Sequence, residues 1–239
     1  MVKMVRDSSG RFPERPHYSP GEIDSECEKI VGGFLRARHG AGCPRITTDE
    51  LSILIEKSGA SLDSSVDLAP FGDDVEGMTA FFPNRSPEVS ISDTLANDSR
   101  RENRLRTTLA HEYGHVHFHG YLWAEKFATS RLFDRLSREN KAICKRDTIL
   151  NAREYDWMEW QAGYASGAIL MPVTAIRRLV SDYCAPLGLH SAVVAGSEHG
   201  RKIIGAVTET FQVSEDAARV RLIKLNLLTG SDRQGALFH

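Results

Sequence analysis

His111 and His115 lie four residues apart in the segment His111-Glu112-Tyr113-Gly114-His115. On an α-helix that spacing stacks two imidazoles on one face, one turn apart, where both can bind a single Zn²⁺. The pattern constrains the fold in two ways. The segment must be helical, and a second element must bring a further donor against it, because zinc in a reactive site takes three protein ligands and keeps one position open. Glu112 is rotated about 100° from His111 and so is not a ligand. Its carboxylate is read as the base that takes a proton from an attacking water and returns it to a departing amine. An ion held there would activate that water and polarise a carbonyl, which makes hydrolysis the expected chemistry.

Glu159 is the best third donor. It opens a stretch running to Pro172 that reads as a helix stopped by its terminal proline. Glu159, Gly163, Ser166 and Leu170 share one stripe of it, and the small residues would let this helix approach the first at Gly114. Asp156, three residues earlier, also makes Glu159 a capping residue, a role that can coexist with ligation. His119 falls on the stripe of His111 and His115, but about 12 Å of helix rise separates 111 from 119, too far for one ion to bind all three. His119 and His117 therefore read as groups behind the ligands or on the surface. Cys144 lies in the basic segment from Lys141 to Arg146. A thiolate is a strong zinc ligand, so Cys144 is a candidate inhibitory fourth ligand, set against the plainer reading of a buried or incidental cysteine.

With 239 residues, 41% of them hydrophobic, the chain can bury a substantial core. No stretch approaches the roughly 20 apolar residues of a membrane span, and Met1 to Ser19 has no apolar signal core. A cytoplasmic protein with no membrane partner is expected. Four cysteines without a CxxC pair fit reduced thiols. The net charge of −2 hides an asymmetry, since residues 1–99 sum to −7 and residues 100–153 to +6. Arg100, Arg101, Arg104 and Arg106 precede the histidine motif, and Arg135, Arg138, Lys141, Lys145 and Arg146 follow it. Such a block is either a solvated face or a contact for an anionic partner.

Ser19-Pro20 predicts a capped helix with Ile23, Cys27, Ile30, Val31, Phe34 and Leu35 at helical spacing. Thr47 and Glu50 form a capping-box signature for a second helix ending at Gly59. The runs Gly77 to Phe82 and Glu88 to Ile91 predict a hairpin. The motif helix is expected from about Asp98 to Gly120, followed by a mostly helical stretch that ends in a helix-turn-helix pattern between Ile203 and Leu228. Low basic content there favours a protein partner over direct DNA reading.

Leu109-Ala110-His111-Glu112-Tyr113-Gly114-His115 with His119, and Glu159 through Ala162 to Leu170-Met171-Pro172, resemble the ImmA/IrrE family of metallopeptidases. Gly163 and Ala165 stand where the family usually has Asn and Phe. The similarity extends to the 77–91 hairpin and to Phe211 through Leu222. The resemblance implies an α+β, zincin-like metallopeptidase domain with a small antiparallel sheet and a C-terminal helical element similar to a helix-turn-helix. The expected layout is a polar tail at 1–18, the peptidase domain at 19–185 and the helical element at 186–239. One Zn²⁺ per chain, or another divalent metal such as Mn²⁺, is the implied cofactor. The implied substrate is a protein, commonly a repressor encoded nearby whose cleavage relieves transcription of a mobile-element, stress or defence operon. Single-stranded nucleic acid on the basic block is a candidate activator. The Gly77–Phe82 strand is a candidate docking edge for an extended peptide. A competing class is a non-catalytic regulator in which metal only stabilises the fold and the C-terminal helices bind DNA or repressor.

Overall fold

The computed structural model describes residues 2–40, 42, 45–129, 141–145, 156–189 and 191–230, with residues 141–145 described by their backbone. The first two strands, β1 (Lys3–Arg6) and β2 (Glu14–His17), pair antiparallel with Lys3 opposite His17. A segment that reads as a polar tail is thus a hairpin. Its turn buries Phe12, and the Asp7 carboxylate accepts hydrogen bonds from the backbone N–H groups of Ser9 and Phe12. One buried ring and one satisfied turn carboxylate anchor residues that otherwise look solvated.

Helix α1 (Pro20–His39) starts with a reciprocal box between Ser19 and Glu22, and α2 (Thr48–Lys57) does the same with Thr47 and Glu50. In each, two otherwise orphaned N–H groups are satisfied. Gly59 follows α2 at φ +88°, a left-handed conformation that costs glycine little.

Strands β3 (Ser61–Val66), β4 (Val75–Ala80), β5 (Glu88–Ser92) and β6 (Lys141–Lys145) form one sheet in the order β3-β5-β4-β6. The expected hairpin is β4 and β5, with Gly77 opposite Ile91 and Ala80 opposite Glu88. The sheet is mixed, however, and not wholly antiparallel. A link with a 3₁₀ turn at Ala69–Phe71 carries the chain past β5 before β4 begins, which leaves β3 parallel to β5. β6 lies within a stretch expected to be helical and pairs antiparallel with β4. A short apolar run such as Ala142-Ile143-Cys144 cannot be assigned by periodicity. β4 consequently has partners on both sides, so the expectation that it offers a free edge to a peptide is corrected. Among the described residues the outer edges belong to β3 and β6.

After α3 (Asp93–Ala96) and a 3₁₀ turn at Ser99–Arg101, the long helix α4 (Glu102–Thr129) carries the histidine motif. It continues past Gly120, where the sequence suggested its end, because Leu122, Trp123 and Phe127 join a second buried cluster with Phe12, Phe81, Trp157 and Met158. Helices α5 (Trp157–Leu170) and α6 (Val173–Cys184) flank Met171-Pro172, the expected stop. A two-residue parallel pair, β7 (Val193–Val194) and β8 (Leu228–Thr229), brackets α7 (Glu198–Phe211) and α8 (Glu215–Lys224). Ile203, Phe211, Ala218 and Leu222 from these helices share one core with Ile23, Leu51, Leu109 and Ile169. Arg106 ties them to α4 by donating to the carbonyls of Phe211, Gln212 and Ile46. Among the described residues, no helix is long and apolar enough to cross a membrane.

Candidate metal centre

α4 and α5 cross where α4 has no side chain. A Cβ built on Gly114 would lie 3.1 Å from the Ala162 Cα and 3.4 Å from the Ala165 Cβ, so the helices approach this closely only with glycine there. The small residues that permit the approach are Ala162 and Ala165, in place of the expected Gly163 and Ser166. Gly163 and Ser166 line a cleft with Thr107 and Arg221 instead. Residues 162 and 163 fall on opposite sides of the Glu159 meridian at about 100° per residue, and the pattern alone did not choose between them.

This crossing brings three donors together. His111 Nε2 lies 3.1 Å from His115 Nε2 and 3.1 Å from Glu159 Oε2, and His115 Nε2 lies 3.2 Å from Glu159 Oε1. Both histidines are fully buried, and Glu159 is largely so. Tetrahedral zinc with bonds near 2.0–2.1 Å holds its ligand atoms about 3.3 Å apart, so the donor set fits such an ion. Asp156 accepts from the Glu159 N–H at 3.5 Å, so capping and the donor arrangement coexist. Burial works against charge on Glu159, but His115 and His111 outweigh it and hold the carboxyl well below the ordinary range.

Glu112 points away from this triad toward the sheet. Thr79 on β4 donates to Glu112 Oε2 at 2.6 Å, while Glu112 Oε1 has no hydrogen-bond partner among the described residues. A Cβ on Gly77 would lie 2.5 Å from Glu112 Oε1 and 2.7 Å from Thr108 Cγ2. Only glycine leaves room for the carboxylate between strand and helix. Burial raises the Glu112 carboxyl above its usual value, against the opposing pull of His115, His111 and the Thr79 hydroxyl. A raised carboxyl suits a group that must both take and give a proton near neutral pH.

Thr79, Gly77 and Gln161 were not singled out as site residues by sequence reasoning. The available signal was a strand expected beside the motif helix, without the register that would have named them. His119 stands behind His115, with the two Nδ1 atoms 3.0 Å apart, and Gln161 Oε1 lies 3.1 Å from His119 Nε2. His117 instead meets Glu26 near the surface, at 3.2 Å.

The IrrE N-terminal-like domain, a peptidase family, matches residues 94–223, more than half of the 239-residue chain. The chain belongs to the ImmA/IrrE family of metallopeptidases. No curated protein matches it. Membership in the ImmA/IrrE family carries a peptidase-type function and a metal ion, and the His111–His115–Glu159 group is able to hold one.

Around this ImmA/IrrE centre the basic block is largely engaged where it is described. Arg101 and Arg104 both donate to Glu76 on β4, which is buried, and Arg100 chelates Asp98. Arg135, Arg138 and Arg146 lie outside the described residues, as do the side chains of Lys141, Lys145 and Cys144. The Cys144 Cα pairs with Gly77 across β6 and β4.

Burial alone would raise the Glu76 carboxyl, but Arg104 and Arg101 outweigh it and hold it below the ordinary carboxylate range. Its ionised form therefore stabilises the fold at neutral pH, and that contribution is lost as pH falls through the depressed value. Glu76→Gln is expected to lower stability by about 2 kcal/mol at pH 7, with the difference closing in acid. Denaturant titrations of both proteins at several pH values check this. A deficit that persists unchanged well below pH 4 would assign the loss to packing and not to charge.

Proposed function

We propose that the protein is a zinc-dependent endopeptidase that cleaves a regulatory protein, a helix-turn-helix repressor encoded nearby, and so relieves repression of a stress, defence or mobile-element operon. The observation that supports this most is the combination of three convergent donors with a separate, unpartnered Glu112 Oε1. A structural zinc site is normally closed by four protein ligands and has no use for a buried carboxylate beside them. On this reading His111, His115 and Glu159 hold the ion, which supplies Lewis acidity. Glu112 takes the proton of the attacking water on Oε1 while Thr79 holds Oε2 in place, then passes it to the leaving amine.

Co-expression with the product of an adjacent repressor gene is the direct test. Cleavage into two discrete fragments is expected with the wild type and none with a chelator. An intact repressor under all inducing conditions would reject the substrate assignment. Glu159→Ala should weaken zinc binding by more than the 10–100-fold typical of losing a group behind a ligand. Full zinc affinity in that variant would move the third ligand elsewhere.

The non-catalytic alternative predicts equal regulation by wild type and Glu112→Gln. Arg100, Arg101 and Arg104 are engaged by carboxylates, and Arg106 by backbone carbonyls. A nucleic-acid activator forms no part of this proposal.

A further inference from the structure

We propose that His119 and Gln161 are positioning residues that hold the His115 imidazole in its Nδ1–H tautomer, with the Pro16 carbonyl of the N-terminal hairpin as the fixed end of the chain. The inference rests on the reading of His115 as a metal ligand. Its starting point is an atom with only one possible role. A backbone carbonyl accepts hydrogen bonds and cannot donate. Gln161 Nε2 lies 3.0 Å from the Pro16 oxygen on β2, so the amide must turn its N–H₂ toward Pro16 and its Oε1 toward His119.

That orientation makes His119 Nε2 the donor to Gln161, across 3.1 Å. In a neutral imidazole with Nε2 protonated, Nδ1 is a bare acceptor. His119 Nδ1 faces His115 Nδ1 at 3.0 Å, so one proton lies between them and His115 supplies it. With its proton on Nδ1, His115 presents a bare Nε2 lone pair toward His111 and Glu159, the form in which imidazole binds a metal. Metal-binding histidines commonly have the other ring nitrogen fixed in this way.

The surroundings prevent these groups from choosing other partners. His115, His119 and Gln161 are each at most 1% exposed, so water does not offer substitutes. The Trp157 ring stands edge-on to His119, with centroids 5.4 Å apart, and its Nε1 donates to Asp7 in the hairpin turn at 3.1 Å. The hairpin thus holds the outer shell at two points, Pro16 and Asp7. His111 has no comparable support among the described residues, where its Nδ1 finds no hydrogen-bond partner. Ordering of the imidazole pair falls on His115.

The test uses the full chain with Zn²⁺ as probe. Zinc affinity is measured by chelator competition for wild type, Gln161→Leu, His119→Phe and Gln161→Glu, together with the thermal midpoint of each without zinc. Gln161→Leu and His119→Phe are expected to bind zinc about 10–100-fold more weakly. Gln161→Glu, which still offers His119 an acceptor but has no N–H for the Pro16 carbonyl, should recover part of that affinity. Long-range ¹H–¹⁵N spectra of the zinc-free wild type should show His115 protonated on Nδ1, with the Nε2–H form gaining population in Gln161→Leu. A merely structural role would lower the thermal midpoint without moving the tautomer.

Equal zinc affinity in all four proteins, or a wild-type His115 protonated on Nε2, would overturn the relay while leaving the metal centre intact. If Gln161→Leu fails to fold, the wild-type spectrum and Gln161→Glu still decide. A wild type that binds no zinc at all would instead remove the metal centre, and the relay with it.

Discussion

Glu112→Gln should lose peptide cleavage by at least the 10²–10⁴-fold associated with a positioned acid–base group, while retaining about one metal ion per chain. The carboxylate sits one residue from His111 yet faces β4, with Oε2 held by Thr79 and Oε1 unpartnered. An amide of the same shape keeps the Thr79 hydrogen bond and cannot take a proton. Folding gives a further sign to check. Burial raises the Glu112 carboxyl, so its charged form is disfavoured by the fold and a neutral amide relieves that penalty. Compared metal-free at neutral pH, the variant should therefore be as stable as wild type or more so, which separates a catalytic loss from a structural one. Undiminished proteolysis would remove Glu112 from the mechanism, and loss of metal would make it a ligand. Repressor cleavage, metal analysis and a melting curve on the same preparation distinguish these outcomes.

Gly77→Ala should be nearly as severe, although it touches no ligand. The new methyl group would meet Glu112 Oε1 at 2.5 Å and Thr108 Cγ2 at 2.7 Å. β4 cannot easily retreat, because its two ladders bind it to β5 and β6. The carboxylate must swing away from its Thr79 contact, and a misplacement of about 1 Å can cost about 10²-fold in rate. Overpacking adds roughly 1–3 kcal/mol of destabilisation. Zinc affinity should be nearly unaffected, since neither histidine nor Glu159 adjoins the methyl. Activity within twofold of wild type would show that Glu112 tolerates displacement.

The helices near the site were legible where local chemistry decides them. Ser19 with Pro20 and Thr47 with Glu50 fix helix starts within four residues of chain, and the four-residue histidine spacing fixes a face. Glu159 was legible because a capping signature, small residues and a terminal proline mark one short helix. What could not be read depends on pairing between distant segments. The Thr79–Glu112 contact requires the register of a strand against a helix, and Gln161 joins Pro16 across 145 positions. The hairpin at 3–17 looked like a tail because only Phe12 and Asp7 anchor its turn, and a single aromatic residue has no period. Arg101 and Arg104 read as part of a basic block because their partner, Glu76, lies in another element. The helix face meeting Gly114 was misjudged by one residue, the limit of a rotation argument without a partner.

The Pro16–Gln161 contact also orders events during synthesis. The ribosome makes Pro16 145 residues before Gln161, which at about 5–20 residues per second is an interval of roughly 7–30 s. Late in that interval His111, Glu112, His115 and His119 have all been made, yet neither Glu159 nor the Gln161 amide that orients His119 is present. A nascent chain therefore bears the histidine motif without a finished site, and the 3–17 hairpin waits for a partner made much later. Chains that stop before α5 thus carry the histidine pair but lack Glu159 and Gln161, the two groups that complete the donor set and its hydrogen-bond chain.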